Sequence, residues 1–358
     1  MCNHSSFLTG MHRAQLAELC EEAGAKPLHT ERLIASIFRH GITDPDAIPD
    51  IPNTLRQHLR QYAQAPETHC IADHKAEDGT RKLLLAMPDG REVETVLIPG
   101  PARLTQCISS QVGCAMGCTF CLTATAGLTR NLTAAEMVAQ VRAGQQSGTP
   151  PRNLVLMGMG EPLHNYREVA RFIRIVTDPL GMAFSPRRVT ISTAGLVPGI
   201  RQMLEDELPC NLAVSLNATT DAVRERLMPV NRRWPMEELI AILRDYVRIR
   251  GDKRILIEYV MLKGINDTDD DARRLLELLA NIPCTINLLP FNPFSGSTFR
   301  RPDDERVSAF RHILVEAGRI AVVRESKGQD IYAACGQLKT AVRQRSNRFT
   351  ATCQTQAS

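Results

Sequence analysis

From about residue 105 to residue 324 the chain alternates short apolar, β-branched runs with longer amphipathic stretches, and this alternation restricts the possible folds. The runs are QCISS (106–110), LVLMG (154–158), VTIST (189–193), LAVSL (212–216), ILIEYVML (255–262), INLLP (286–290) and IAVVR (320–324). They are too short for buried helices and rich in Val and Ile, so they read as buried strands. Helix signals lie between them. Thr133 and Glu136 form a capping box flanked by Leu132 and Met137 as a hydrophobic staple, and Pro235 opens a stretch whose Leu239, Ile242, Leu243 and Tyr246 share a face. Repeated strand–helix–strand order demands right-handed crossovers and a parallel sheet, either doubly wound or curled into a barrel or part of one. Six or seven units are expected.

The segment before residue 105 follows other rules. Leu16, Leu19 and Cys20, then Leu33, Ile34 and Ile37, recur at helical spacing, whereas LLLAM and ETVLI flank the turn Pro88-Asp89-Gly90 and predict a hairpin. The expected organisation is a helical accessory domain over 1–65, a β-hairpin connector over 66–104, an α/β barrel domain over 105–340 and a basic tail over 341–358 carrying Arg343, Arg345 and Arg348. No apolar run approaches the roughly 18 residues that span a bilayer, and the first residues lack a basic region followed by an apolar stretch. The expectation is a cytoplasmic protein that does not enter a membrane. A net charge of +4 permits a polyanionic partner without requiring one.

Eleven cysteines in such a chain point to metal or redox chemistry rather than structural disulfides. Cys114, Cys118 and Cys121 fall within the eight residues CAMGCTFC, with Gly113 and Gly117 allowing the backbone to wrap closely. Zinc prefers four ligands and commonly takes two separated CxxC pairs, a pattern absent here. Three thiols on one loop suit a four-iron cluster with one iron left for a substrate or cofactor. A structural zinc site completed by Cys107 or a histidine is the alternative.

The CxxxCxxC spacing, with Phe120 before the last cysteine, resembles the radical S-adenosylmethionine superfamily. Met157-Gly158-Met159-Gly160-Glu161-Pro162 resembles its glycine-and-glutamate turn. The stretches VETVLIP, CISSQVGCAMGCTFC, GLTRNL, VLMGMGEPL, SPRRVTISTAG, SLNA, MPVN, EYVMLKGIND, NLLPFNPF and AACGQL narrow the resemblance to the adenosine carbon-2 methyltransferases of large-subunit rRNA and tRNA, with their carbon-8 relatives. It covers almost the whole chain. The implied fold is a partial (β/α)6-type barrel with a small helical N-terminal domain. The implied cofactors are a [4Fe-4S] cluster on Cys114, Cys118 and Cys121, and S-adenosylmethionine lined by Gly160, Glu161, Ser192, Ser215, Leu216, Asn217 and Asn292. By the same resemblance Glu94 is the proton acceptor, Cys335 the methyl carrier, and Cys107 its partner in a transient disulfide. RNA is the implied partner and DNA is not, with a reductant protein serving the cluster and the disulfide.

The cofactor residues fall at or just after the C-terminal ends of successive predicted strands, where parallel α/β barrels place their sites. A covalent carrier also suits the chemistry. Carbon 2 of adenine lies between two ring nitrogens and is a poor nucleophile, so a carrier splits one difficult step into easier ones. By pattern alone Glu94 alternates with Val93 and Thr95 and reads as an exposed strand face. Two departures from the family pattern stand out: Asn217 where many members have histidine, and Leu122-Thr-Ala-Thr-Ala126 after the last loop cysteine. Rival readings are carbon-8 methylation, or a noncatalytic iron–sulfur protein that binds RNA through its helical N-terminal part. Cys335-Gly-Gln-Leu, matching the carrier motif, speaks against the latter.

Overall fold

A ten-stranded mixed sheet organises the chain, seen in a computed structural model that describes residues 7–63, 68–251 and 255–338. The basic tail, Cys2 and Cys353 lie outside the described residues. The strands of this sheet are β1 (His69–Lys75), β2 (Arg81–Ala86), β3 (Glu92–Pro99), β4 (Leu104–Cys107), β7 (Asn153–Leu156), β8 (Val189–Thr193), β9 (Asn211–Ser215), β10 (Ile255–Met261), β11 (Cys284–Pro290) and β12 (Ile320–Val323). A separate antiparallel pair, β5 (Gln111–Gly113) and β6 (Leu128–Asn131), intervenes after β4.

From β4 through β12 the seven strands of the main sheet are parallel and neighbour one another in chain order. Order without reversal is that of a barrel wall and excludes the doubly wound alternative. The wall stays open, because β1–β4 are antiparallel and the sheet ends at β1 and β12. Helices α4 (Ala134–Gln146), α5 (Tyr166–Thr177), α6 (Val197–Glu205), α7 (Asp221–Leu227), α8 (Met236–Arg250), α9 (Asp269–Leu278) and α10 (Asp304–Glu316) form the crossovers, after α1 (Arg13–Glu22), α2 (Pro27–Ile34) and α3 (Asn53–Leu59) at the N-terminus.

Strand alternation separates a buried face from a more open one along the wall. In β11 the residues Cys284, Ile286, Leu288 and Pro290 are buried while Thr285, Asn287 and Leu289 are half-exposed. Tyr259 of β10 stacks on Phe310 of α10 with ring centroids 5.5 Å apart, so its side of the sheet is the helix-covered one. The capping box forms as expected: the Thr133 hydroxyl accepts from Glu136 N at 3.2 Å, and the Glu136 carboxylate accepts from Thr133 N at 2.8 Å. Leu132 and Met137 beside it are fully buried.

Three expectations need correction. The hairpin is not a separate connector: β2 and β3, with the unforeseen β1, extend the barrel sheet itself. Strand β4 stops at Cys107, so Ile108–Ser110 are not a strand. There the Gln140 amide of α4 acts as a surrogate strand, accepting from Ser109 N at 2.8 Å and donating to Ser109 O at 2.9 Å. Pro235 is the N-cap of α8 rather than its first residue.

Candidate functional site

The cysteine loop hangs between β5 and β6. Its neck closes where Cys114 N donates to Gly127 O at 2.8 Å. Gly113 has φ +79°, and a Cβ there would fall 1.9 Å from Gly127 O, so no other residue fits the neck. Gly113→Ala is expected to distort the loop, at roughly 1–3 kcal/mol for the backbone strain alone. The check is lower iron retention per chain after anaerobic reconstitution, together with a lower melting temperature. The loop's far side is tied to distant segments: Thr119 N donates to Leu227 O at 3.0 Å, and Leu122 N to Gly336 O at 2.7 Å. The Thr123 hydroxyl donates to Leu338 O at 2.6 Å.

Cys114, Cys118 and Cys121 thereby line one cavity together with Gly160, Glu161, Ser192, Ser215, Asn217, Asn292 and Cys335. The site therefore gathers residues from β8, β9 and the turns after β7 and β11. Burial pushes the Cys114 thiol up to about 12 and the Cys118 thiol well above its ordinary value. These sulfurs ionise only if a cationic centre joins them. Among the described residues no three Cys, His, Asp or Glu side chains gather tightly enough to hold a single ion. Three thiols of one short loop facing one cavity are the donor set that suits a four-iron cluster with one iron left open.

Glu161 completes the fit. It is buried, and its carboxylate accepts from Leu163 N at 3.0 Å and Ala194 N at 2.7 Å. Burial nevertheless raises its pKa to about 7, against the lowering by those hydrogen bonds. Among the described residues no cation pairs with it, so an incoming ammonium group would find an unmatched carboxylate. Gly160 (φ +102°) lets this turn pass Gln111, whose Cβ would lie 2.6 Å from an added methyl.

Asn217 occupies the left-handed region at φ +57°, which asparagine tolerates better than most residues. Its Oδ1 accepts from Val260 N at 2.8 Å, locking the ends of β9 and β10 together. The Asn292 amide donates to Cys335 O at 3.3 Å. Leu216 departs from expectation: it does not line the cavity but is fully buried in the core, its flanking Ser215 and Asn217 pointing the other way.

Glu94 is likewise not on an exposed face. It is 4% exposed on β3, and its Oε1 lies 3.0 Å from Lys82 Nζ of β2. Cys107 is buried at the end of β4, and burial, then the nearby Cys335, push its thiol up to about 12. The exposed surface of Cys335 opens into the cavity, and the surrounding protein, then Glu258, push its thiol up to about 11 against the pull of Arg324. The two sulfurs are not bonded to each other. Cys20, Cys210 and Cys284 are buried, and Cys70 is exposed on β1, all away from this cavity.

Sequence reasoning missed Glu258 and Arg224. Glu258, a buried carboxylate on β10, faces the cavity and accepts from Asn287 Nδ2 at 2.8 Å. Arg224 is fully buried and donates to the carbonyls of Ala194 (2.6 Å), Ser215 (3.2 Å) and Leu216 (3.1 Å) and to Asn231 Oδ1 (2.9 Å). It ties two strand ends to the MPVN turn, and its position between SLNA and MPVN was the available signal.

Comparison with known proteins agrees with this geometry. Residues 108–279 match the radical SAM superfamily, and residues 7–65 match the ribosomal RNA large subunit methyltransferase N-terminal domain. The chain is 45% identical over 343 residues to the dual-specificity RNA methyltransferase RlmN of Rhodospirillum rubrum, covering 93% of this chain and 80% of that one. It is 47% identical over 326 residues to the protein of the same name from Syntrophotalea carbinolica, covering 91% and 87%. The crystal structure of a radical SAM methyltransferase from Sphaerobacter thermophilus superposes with a TM-score of 0.83 at 42% identity, covering 93% of this chain and 99% of that one. With these identities over most of both chains, the chain belongs to the RlmN family of radical S-adenosylmethionine RNA methyltransferases.

Proposed function

We propose that this protein transfers a methyl group from S-adenosylmethionine to carbon 2 of an adenosine in large-subunit rRNA and tRNA. The observation that carries the reading is the placement of Cys335 on the wall of the cavity that also holds the loop cysteines and Glu161, with Cys107 close enough to feel its charge. When bound, the reduced cluster and S-adenosylmethionine supply the methyl group and a 5′-deoxyadenosyl radical. Cys114, Cys118 and Cys121 hold the cluster. Gly160, Glu161, Ser192, Ser215, Asn217 and Asn292 hold S-adenosylmethionine, with Leu216 contributing through its place in the chain between two of them.

The remaining residues manage the carrier. Cys335 offers the sulfur that bears the methyl carbon and, later, the bond to the base. Glu94 takes the ring proton, and the odd electron left by radical addition would pass to a one-electron acceptor, which the cluster would supply when bound. Cys107 as thiolate then attacks the Cys335 sulfur, breaking its bond to carbon; the electron pair passes to that carbon, which takes up a proton as the methyl group. Two thiols are oxidised to a disulfide, so a protein reductant must restore them before the next turnover.

The base must leave its stack to reach a cavity at the strand ends, so an unpaired or extruded adenosine is the substrate form. A helical unit ending near residue 65 and a parallel barrel wall beginning near residue 105, its sheet extended by the antiparallel strands before it, are part of this reading, as is a cytoplasmic location. Among the described residues no helix is long and apolar enough to cross a membrane. The test is anaerobic incubation of the reconstituted protein with S-adenosylmethionine, a reductant and unmodified RNA, followed by mass spectrometry of nucleosides. 2-Methyladenosine is expected. 8-Methyladenosine would move the chain to the rival reaction, and an unmodified product would favour a noncatalytic RNA-binding protein.

A further inference from the structure

The buried ammonium of Lys82 touches both halves of the proposed chemistry. Its Nζ lies 3.0 Å from Glu94 Oε1 and donates to the Tyr332 carbonyl at 3.3 Å, three residues ahead of Cys335. Strand register brings a third participant to the same side. Lys82 opposes Val96 across β2–β3, and Val96 opposes Cys107 across β3–β4. Opposed residues share a face, as do alternate residues along a strand, so Lys82, Glu94 and Cys107 lie on one side of the sheet.

The turn between β1 and β2 holds the segment that bears Cys335. Asp78 Oδ2 accepts from Gly328 N at 3.0 Å, and Asp330 Oδ2 accepts from Glu77 N at 3.1 Å. A Cβ at Gly328 would meet Thr80 Cγ2 at 2.9 Å, so this backbone is seated against the residue that leads into the strand carrying Lys82. Stability alone does not explain a cation there. Both residues are more than nine-tenths buried, and replacing a buried ion pair by well-packed apolar residues is often neutral or stabilising.

We infer that Lys82 is a positioning residue, which sets the Glu94 carboxylate and the Cys335-bearing segment against each other so that both reach one covalent adduct. This rests on the roles proposed above for Glu94 and Cys335. Lys82 is needed after the carrier has been loaded, at adduct resolution. It does not touch the loop cysteines, so cluster assembly and methylation of Cys335 proceed without it.

The experiment is a single anaerobic turnover on labelled RNA with Lys82→Met, Lys82→Gln, Lys82→Arg and Glu94→Gln, reading iron content, S-methylation of the Cys335 peptide, and protein–RNA crosslink on denaturing gels. Lys82→Met is expected to keep wild-type iron and Cys335 methylation while resolving the crosslink about 100-fold more slowly, the scale of a misplaced reacting group. Lys82→Gln, which keeps a donor for Tyr332 without the charge, should also accumulate crosslink, and Lys82→Arg should recover most of the resolution rate. Equal loss of iron or Cys335 methylation in both Lys82→Met and Lys82→Gln would overturn the inference in favour of a folding role, as would wild-type resolution by either. Absence of crosslink in Glu94→Gln with wild-type turnover would instead overturn the role given to Glu94.

Discussion

Replacing Cys335 by alanine is expected to abolish methyl transfer to protein and RNA alike, by roughly 10⁴-fold or more, the scale of removing a covalent nucleophile. The iron content should stay at the wild-type level, because Cys335 lies outside the three-cysteine loop and the bonds that tie its segment to that loop use the Gly336 and Leu338 carbonyls rather than the Cys335 side chain. Cys107→Ala is expected to fail later. It leaves the acceptor sulfur in place, so Cys335 gains its methyl group and joins the base, but nothing attacks that sulfur to release the product. The protein should then persist as a covalent RNA adduct. Denaturing electrophoresis of labelled RNA after one anaerobic turnover, with mass spectrometry of the Cys335 peptide, distinguishes the two. A methyl group on another cysteine, or undiminished turnover by Cys107→Ala, would refute these assignments.

Alanine at Cys114, Cys118 or Cys121 is expected to remove most of the iron and, with it, all activity. A loop with three ligands has no spare thiol: Cys107 ends β4, and Cys335 enters from the far end of the chain. The remaining thiols would also revert to their protonated forms, since burial keeps Cys114 and Cys118 neutral without a positive centre. Iron analysis and the visible absorption of anaerobically reconstituted protein measure the effect. Stoichiometric zinc without iron in the unaltered protein would overturn the enzyme reading altogether.

The legible parts of this fold were those with a single dominant signal. VTIST became β8 at its predicted bounds because both ends are set by abrupt changes in polarity, and the Thr133–Glu136 box formed because it is a local device. Strand β1, HCIADHK, was illegible: it is an edge strand, mostly exposed, so neither face leaves an apolar pattern. Strands β5 and β6 are too short to show periodicity.

At the site, motif resemblance located residues but not their surroundings. Glu94 reads as solvent-facing until the cross-strand neighbour Lys82 is known, and that neighbour is specified by the hairpin register rather than by local sequence. Leu216 was carried along by its motif although strand alternation turns it into the core. Arg224 and Glu258 escaped because charged residues are rarely fully buried, and composition gives no hint of which ones are.

The bonds from Leu122 N to Gly336 O and from the Thr123 hydroxyl to Leu338 O join the loop proposed to bind metal to the segment proposed to carry the methyl group. Whatever free energy iron binding spends on ordering the first must therefore be shared with the second, and by thermodynamic reciprocity ordering the second must favour iron. On the roles proposed above, an oxidant that strips the cluster is expected to loosen the carrier segment as well, without ever reacting with its sulfur.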